Sequence, residues 1–380
     1  MNTPANGNNN KIKQILMRLA DADMVFWLMP PLIVLLIAGT LAQAWMGLWP
    51  ALHMFFAAFV IWAGPVPLPG GYTLLGILSL NLTLKFLFKS EWSRRKSGII
   101  LTHLGALILL IGGLITAITA REHYMVIPEG HETPFIYDYQ QRELQIYKND
   151  MLYYTMPFEA LKPATTLKDI LPFTATITDR FDNIQIIKRE DAPDYNPDTD
   201  YRGMARFMAF RHKAPGKDPQ SDLTGFTLKI ENTNEEQNGF YVVFEAMPKP
   251  VTITKGKDTY RLVFGKKQTQ LPFSIALIDF QKQSYQGMDM ARSYSSDIIV
   301  KDHGAQWPVR IEMNKPLRYK GYTFFQSSFE QTPQTEATIL AVVKNSGWVI
   351  PYLGTSILGI GLLLHIVIVM GGIQNKAKSS

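Results

Sequence analysis

Two histidines lie inside long stretches of the chain that carry no charged side chain. His103 stands in Leu101-Thr102-His103-Leu104-Gly105, and His365 stands in Leu363-Leu364-His365-Ile366. A neutral imidazole needs a partner in an apolar medium, so ionisable residues in such stretches are candidates for function. Two roles fit each of them. One is a hydrogen bond between helices, and the other is axial ligation of haem iron through Nε2 in an apolar, water-poor site.

Other kinds of chemistry find little support in the sequence. The chain has no cysteine, which excludes disulfides, a thiolate nucleophile, cysteine-ligated zinc, iron–sulfur clusters and covalent haem attachment to this chain. It has no P-loop, nucleophile elbow, dinucleotide-binding glycine turn or His-Glu-x-x-His helix. The sequence therefore gives no independent sign of hydrolysis, phosphoryl transfer or hydride transfer, and it assigns no catalytic residue.

The elements that position the histidines are predicted to be membrane-spanning helices. Charged residues are 18% of the chain, yet they are absent from three long stretches, Met24–Leu84, Ser97–Ala120 and Asn345–Asn375. This pattern excludes a wholly soluble protein. About 20 apolar residues cross the hydrocarbon core, and four segments qualify: Met24 to about Leu41, Tyr72–Phe88, Gly98–Thr119 and Trp348–Met370. His103 lies five residues from the start of the third segment, and His365 lies five residues from the end of the fourth. Both imidazoles are therefore expected at about the same depth, roughly 8 Å from the cytoplasmic ends of these segments.

A fifth apolar run, Leu48–Trp62, is short and bracketed by prolines. If it crossed the membrane, everything after it would change sides. Positive side chains favour the cytoplasmic side, and four spans place all three basic clusters there. We therefore expect residues 48–62 to lie in, or re-enter from, the outer interface. The clusters are Lys11, Lys13 and Arg18; Lys85, Lys89, Arg94, Arg95 and Lys96; and Lys376 and Lys378.

The large segment between the third and fourth spans has mostly two-residue apolar periodicity, with turn signals every 8–15 residues or so, which is typical of antiparallel sheets. The predicted strands are Phe173–Thr178, Ile184–Lys188, Phe226–Glu231, Phe240–Glu245, Arg261–Phe264, Phe273–Phe280, Asp297–Val300, Val309–Met313, Thr323–Gln326 and Thr338–Val343. Its acidic and basic side chains nearly balance, so the net charge of +6 comes from the flanks of the spans. This distribution argues against nucleic-acid binding. The predicted fold is an integral membrane α-helical protein with four transmembrane helices plus a large extracytoplasmic all-β domain.

The predicted boundaries follow from these segments. Residues 1–23 form a cytoplasmic N-terminus, and residues 24–120 form three transmembrane helices with the outer apolar segment at 48–62. The extracytoplasmic β-rich domain covers residues 121–346, the fourth helix 347–371 and a cytoplasmic tail 372–380. Within the β domain, the polar stretches Arg189–Arg206 and His212–Leu223 are predicted loops.

The order of these parts resembles the ResB (CcsB) family, membrane components of the bacterial system II for cytochrome c maturation. Local strings agree with this architecture in order and spacing. They are Pro69-Gly70-Gly71, Asn81-Leu82, Ser97-Gly98-Ile99-Ile100-Leu101-Thr102-His103-Leu104-Gly105, Gly112-Gly113, Pro128-Glu129-Gly130, Asn314-Lys315-Pro316-Leu317-Arg318-Tyr319-Lys320-Gly321-Tyr322, Phe325-Gln326-Ser327-Ser328 and Pro351-Tyr352.

The resemblance implies a subunit that exports or delivers haem and assists its covalent attachment to apocytochrome c on the outer side of the bacterial inner membrane. His103 would be an axial haem ligand, with His365 as a second candidate, and haem b would be bound transiently. The tryptophan-rich motif of the CcsA partner is missing. The chain would therefore be a non-autonomous subunit of a cytochrome c haem lyase that needs a CcsA-type membrane protein.

Two other classes of function remain open at this point. A haem-free envelope scaffold or assembly factor could bind a partner protein through the β domain, and it should tolerate replacement of His103. A transporter subunit for a small polar solute is disfavoured, because the spans carry almost no charge and show no inverted repeat.

Overall fold

The computed structural model describes residues 14–218, 220–284, 291–331 and 335–377. The chain divides into two compact units. The helical unit combines Met1–Arg121 with Lys344–Ser380, and the β unit is Glu122–Val343. Of the predicted cytoplasmic termini, residues 1–13 and 378–380 lie outside the described residues.

Four long apolar helices form the helical unit, and each is long and apolar enough to cross a membrane. They are α1 (Ala22–Met46), α2 (Gly71–Leu84), α3 (Ser97–Thr119) and α4 (Ile350–Ala377). Helix α2 continues into a π-helical turn, Lys85–Lys89, so its apolar stretch extends to that turn. The predicted four-helix architecture of a multi-pass membrane protein is confirmed.

The segment between α1 and α2 forms no fifth long helix. It contains a helical turn (Leu48–Ala51), a π-helical turn (Leu52–Phe56) and a hairpin of strands β1 (Val60–Ala63) and β2 (Val66–Pro69). The chain then turns tightly into α2 at Gly70. A Cβ atom on Gly70 would lie 2.2 Å from the Ala58 carbonyl oxygen, so this turn requires glycine.

Antiparallel strands make up most of the β unit. The strands are β3 (Arg121–Pro128), β4 (Glu132–Lys148), β5 (Met151–Pro157), β6 (Thr174–Phe181), β7 (Ile184–Lys188), β8 (Met208–His212), β9 (Gly225–Glu231), β10 (Gly239–Phe244), β11 (Val251–Lys255), β12 (Asp258–Ser284), β13 (Ala291–Asp302), β14 (Ala305–Glu312), β15 (Leu317–Tyr319), β16 (Tyr322–Gln331) and β17 (Glu336–Lys344).

The largest sheet has the order β14-β13-β12-β4-β3-β17-β16-β15, with β11 paired to β12 and β5 paired to β4. Smaller sheets have the orders β10-β9-β6 and β7-β8.

Two apolar cores hold the β unit together, and the long strands β4 and β12 contribute to both. Phe226 of β9 and Phe264 of β12 lie in the first core, whereas Phe273 of β12 and Phe324 of β16 lie in the second. Alternate residues of a strand point to opposite faces of its sheet, which explains the two-residue periodicity of the sequence. The predicted large β domain is confirmed.

The strand predictions hold for eight strands of the β unit, among them edge strands such as β14 and inner strands such as β13. Apolar alternation located β6, β7, β9, β10, β13, β14, β16 and β17. It divided β12 into two strands, although β12 is one continuous strand whose pairing with β4 shifts register twice. Strands β3, β4, β5, β8, β11 and β15 were not predicted.

Candidate functional site

His103 lines a cavity of about 670 Å³ inside the helical unit. The volume lies within the range of small-molecule and cofactor sites, and such sites are mostly apolar with a few polar groups. Three polar side chains line this cavity, namely His103, Asn81 and Lys85. The remaining lining residues are apolar and come from all four helices: Ala22, Val25, Phe26, Met29, Leu78, Leu82, Ala106, Leu109, Leu110 and Leu358.

Helix α3 places His103 six residues after its first residue, Ser97, or roughly 9 Å along the axis. The side chain is half-buried. The backbone carbonyl of Ile99, one turn earlier, lies near the ring. Histidines that bind a metal usually donate their second ring N–H to an acceptor, which orients the ring and leaves the other nitrogen for the metal. The Ile99 carbonyl is the candidate for that acceptor.

Asn81 forms the buried polar wall of the cavity and is only 1% exposed. Its side-chain amide donates to the carbonyl oxygens of Leu19, at 2.6 Å, and Asp21, at 2.9 Å. Both carbonyl groups lie within three residues of the start of α1 at Ala22. The two hydrogen bonds of Asn81 therefore connect α2 to the start of α1. Its Oδ1 atom is buried and has no hydrogen-bond partner within the described parts of the chain.

Lys85 lies four residues after Asn81, hence on the same face of the helix, and its side chain is half-buried. Two neighbouring lysines have carboxylate partners. Lys89 pairs with Asp21, and Lys96 pairs with Glu91 at 2.5 Å. For Lys85, by contrast, no carboxylate of the described residues lies within ion-pair distance.

Helices α3 and α4 pack closely along a seam of glycines. A Cβ atom on Gly98 would lie 2.4 Å from the His365 backbone nitrogen, and one on Gly105 would lie 2.5 Å from the Leu358 nitrogen. From α4, a Cβ on Gly361 would lie 2.5 Å from the Thr102 nitrogen. Small residues allow such close approach of membrane helices. The seam therefore fixes the antiparallel register of α3 against α4.

The same register corrects the expected depth of His365. His365 lies opposite Gly98, which is five residues before His103 on α3. His365 is therefore about 8 Å closer than His103 to the end of α3 at which Ser97 lies. His365 is not among the residues that line the cavity. Its Nδ1 atom is buried without a hydrogen-bond partner among the residues that the structure describes. The structure therefore places His103 in the cavity and His365 at the helix seam.

No set of three or more His, Asp or Glu side chains in the described ranges is arranged to hold a bare metal ion. A porphyrin-bound metal has different needs, because the macrocycle supplies four ligands and the protein supplies only axial ones. One imidazole in a mostly apolar cavity, with a cationic group at its wall, is a donor set that fits an iron porphyrin with acidic side groups.

Ion pairs in the β unit have structural roles. Glu245 accepts a hydrogen bond from Arg142 Nε at 2.7 Å and lies 3.7 Å from Lys266 Nζ. Burial lowers the pKa of the Lys266 ammonium, and the Glu245 charge opposes that effect. The pKa of Tyr124 is raised to about 12, mainly by burial and secondly by the negative charge of Glu245.

Several strings that carry the family resemblance also have structural roles. Tyr319 Oη donates to the Asp302 carboxylate, and Lys320 Nζ lies 2.5 Å from it. These contacts lower the pKa of Asp302, the hydrogen bond from Lys320 most strongly. Among the buried polar residues, Gln326 Oε1 accepts a hydrogen bond from Ser296 Oγ at 2.7 Å. Such residues hold strands together.

A second cavity, of about 550 Å³, lies in the β unit near the predicted loop Arg189–Arg206. Arg189 lines it but is buried, and it donates to the carbonyl oxygens of Ala205, at 2.9 Å, and Met208, at 3.0 Å. Its guanidinium also lies 4.2 Å from the centre of the Tyr201 ring. Arg189 thus stabilises the loop that surrounds it.

Two parts of the comparison with known proteins bear on this chain. Residues 239–368 match the model of the ResB-like family; they include His365 and lie after His103 in the chain. A stretch of 108 residues is 32% identical to protein NrfI of Wolinella succinogenes. That stretch covers 28% of this chain and 12% of the length of NrfI. Over residues 239–368, therefore, the chain is similar to the ResB-like family.

Proposed function

We propose that the chain is a subunit of a membrane complex that delivers haem and assists its covalent attachment to apocytochrome c. The observation that carries the proposal is the position of His103 in a cavity of about 670 Å³ with mostly apolar walls. The family match to ResB-like proteins supports the link to cytochrome c maturation. In this proposal haem b is a transient substrate of the complex.

His103 acts as an axial ligand to the haem iron. The Ile99 carbonyl near the ring is the candidate acceptor for its second nitrogen, and the apolar side chains of α1, α2 and α3 keep water from the porphyrin faces. A neutral imidazole is a suitable haem ligand in such surroundings. His365 has a weaker case, because it lies at the helix seam and outside the cavity lining.

When bound, haem supplies vinyl groups that form thioether bonds with the thiols of the cytochrome, with its iron reduced. The thiols belong to apocytochrome c, since this chain contains no cysteine. The contribution of the present chain is to bind the porphyrin, orient it and exclude water. A CcsA-type membrane protein completes the haem lyase, and this chain does not catalyse attachment alone.

The proposed location is the bacterial inner membrane. The basic clusters beside the helices, among them Arg94, Arg95 and Lys96 between α2 and α3, favour the cytoplasmic side. This orientation places the β unit on the periplasmic side, where apocytochrome c is modified.

Cells that depend on this chain for cytochrome c provide the functional test. We expect His103→Ala and His103→Gly to abolish or greatly reduce haem-stained cytochrome c while the chain accumulates normally. His53→Ala is a matched control, because His53 belongs to the same unit and does not line the cavity. Normal cytochrome c with both His103 variants would contradict the proposal and favour a haem-free scaffold.

A further inference from the structure

Lys85 is a cation at the wall of the His103 cavity, and within the described ranges it has no carboxylate partner. Its neighbours Lys89 and Lys96 each have one. A cation beside a mostly apolar cavity gains stability when an anion or several hydrogen-bond acceptors lie next to it. The cavity therefore has one cationic position that a bound anion would complement.

The position of Lys85 limits what that anion can be. Lys85 and Asn81 lie one helical turn apart on α2 and line the same cavity as His103 of α3. Lys85 is also close enough to His103 for their charges to interact. A ligand that uses both side chains needs a metal for the imidazole, an apolar body for the walls and an acidic group for the ammonium.

We propose that Lys85 binds a propionate carboxylate of the haem whose iron is bound by His103; this inference rests on the proposed function. Haem combines a metal, an apolar macrocycle and two carboxylates on one edge. The ion pair with Lys85 directs that edge towards the junction of α2 with its π-helical turn. The opposite edge, which carries the vinyl groups, points away from Lys85. Lys85 is thus a binding residue that sets the orientation of the porphyrin.

Binding measurements on the purified full-length chain can test this with two porphyrins. One is haem, and the other is its dimethyl ester, which keeps the iron and macrocycle but has no carboxylates. We expect Lys85→Met to weaken haem binding by about tenfold to a hundredfold, the range for a charge-assisted hydrogen bond. Binding of the ester should change by less than about twofold, so the preference for haem should disappear. Lys85→Arg should retain most of that preference, because the positive charge remains.

Lys96→Met is the matched control, because Lys96 is paired with Glu91 and lies outside the cavity lining. It should leave the affinity for both porphyrins unchanged. If Lys85→Met lowered the affinity for both porphyrins equally, the change would indicate structural damage and would overturn the inference. Unchanged affinity for both porphyrins would also overturn it. The lipid phosphate is the other source of an anion here. If Lys85→Met instead reduced the retention of phosphatidylglycerol and left haem affinity intact, the inference would also be wrong.

The two proposals fail in different ways. If His103→Ala leaves the affinity and spectrum of both porphyrins unchanged, the proposed function fails. If binding depends on His103 while Lys85→Met leaves the preference for haem over its ester intact, only the orientation by Lys85 fails.

Discussion

The backbone of His365 lies directly against Gly98, with 2.4 Å between the His365 nitrogen and the position that a Cβ on residue 98 would occupy. This contact lies at one end of the glycine seam between α3 and α4. The seam determines the position of α3 against α4. It therefore also determines the position of His103 relative to α1 and α2. The packing of glycines on one side of α3 thus supports the cavity on another side.

Substitution of Gly98 tests the importance of that seam. We expect Gly98→Ala to lower the unfolding temperature in detergent, because the new methyl group meets the backbone of α4. Overpacking of this kind typically costs about 1–3 kcal/mol. Gly113→Ala on the same helix is the matched control, since a Cβ there has no atom within 4 Å. Alanine favours helix over glycine by about 1 kcal/mol, so the control should be neutral or slightly stabilising. Equal unfolding temperatures for the two variants would argue against a tight seam.

Asn81→Leu should loosen the connection between α2 and the start of α1. The replacement removes both donated hydrogen bonds, which are part-buried, from the carbonyl groups of Leu19 and Asp21. Loss of a buried partner costs about 1–3 kcal/mol, which thermal unfolding in detergent can measure. Ser79→Ala is a milder change on the same helix, because the Ser79 hydroxyl bonds only to the Leu75 carbonyl. The account would be wrong here if Asn81→Leu were no more destabilising than Ser79→Ala.

Tyr124 offers a prediction for alkaline titration of the β unit. Its pKa is raised from 10.0 to about 12. In the folded chain the phenol therefore stays neutral at pH values at which the same phenol in an unfolded chain is ionised. The associated stability is complete below about pH 10 and is lost as the pH rises through about 12. Tyr124→Phe should remove the step near pH 12 from the tyrosinate absorbance titration.

Glu245→Gln should lower the pH of that same step, because the Glu245 charge disfavours the phenolate. The exposed Glu159 is a suitable control carboxylate, since it is not among the charges that act on Tyr124. A titration in which Glu159→Gln shifts the step as much as Glu245→Gln would contradict the assigned contact.

Several parts of the fold were predictable because they depend on local composition. Uncharged apolar stretches predict the four helices, and two-residue alternation predicts eight strands of the β unit. Strand β5 has no such alternation. Met151 and Tyr153 of β5 are 74% and 53% exposed, so no buried face imposes a pattern. The single strand β12 is predicted as two strands because residues 265–270, in its middle, are glycine and polar residues that interrupt the apolar alternation.

The candidate site was only partly predictable. His103 is conspicuous in an uncharged helix, but Lys85 was assigned to a basic cluster that indicates orientation. Its place in the cavity results from the packing of α2 beside α3, which no local pattern reveals. The expected depth of His365 is wrong because the count takes the ends of the two helices as level, whereas His365 lies beside Gly98 at the start of α3 and α4 continues to Ala377. Helix register depends on the contacts of Gly98 and Gly361, and these contacts are long-range.

The absorbance spectrum of the chain purified with its CcsA-type partner from haem-replete cells tests the central claim most directly. The account predicts a Soret band that falls markedly in His103→Ala and returns when imidazole is added, because free imidazole can replace the missing ligand. A Soret band of unchanged position and intensity in His103→Ala would show that His103 does not bind the haem iron.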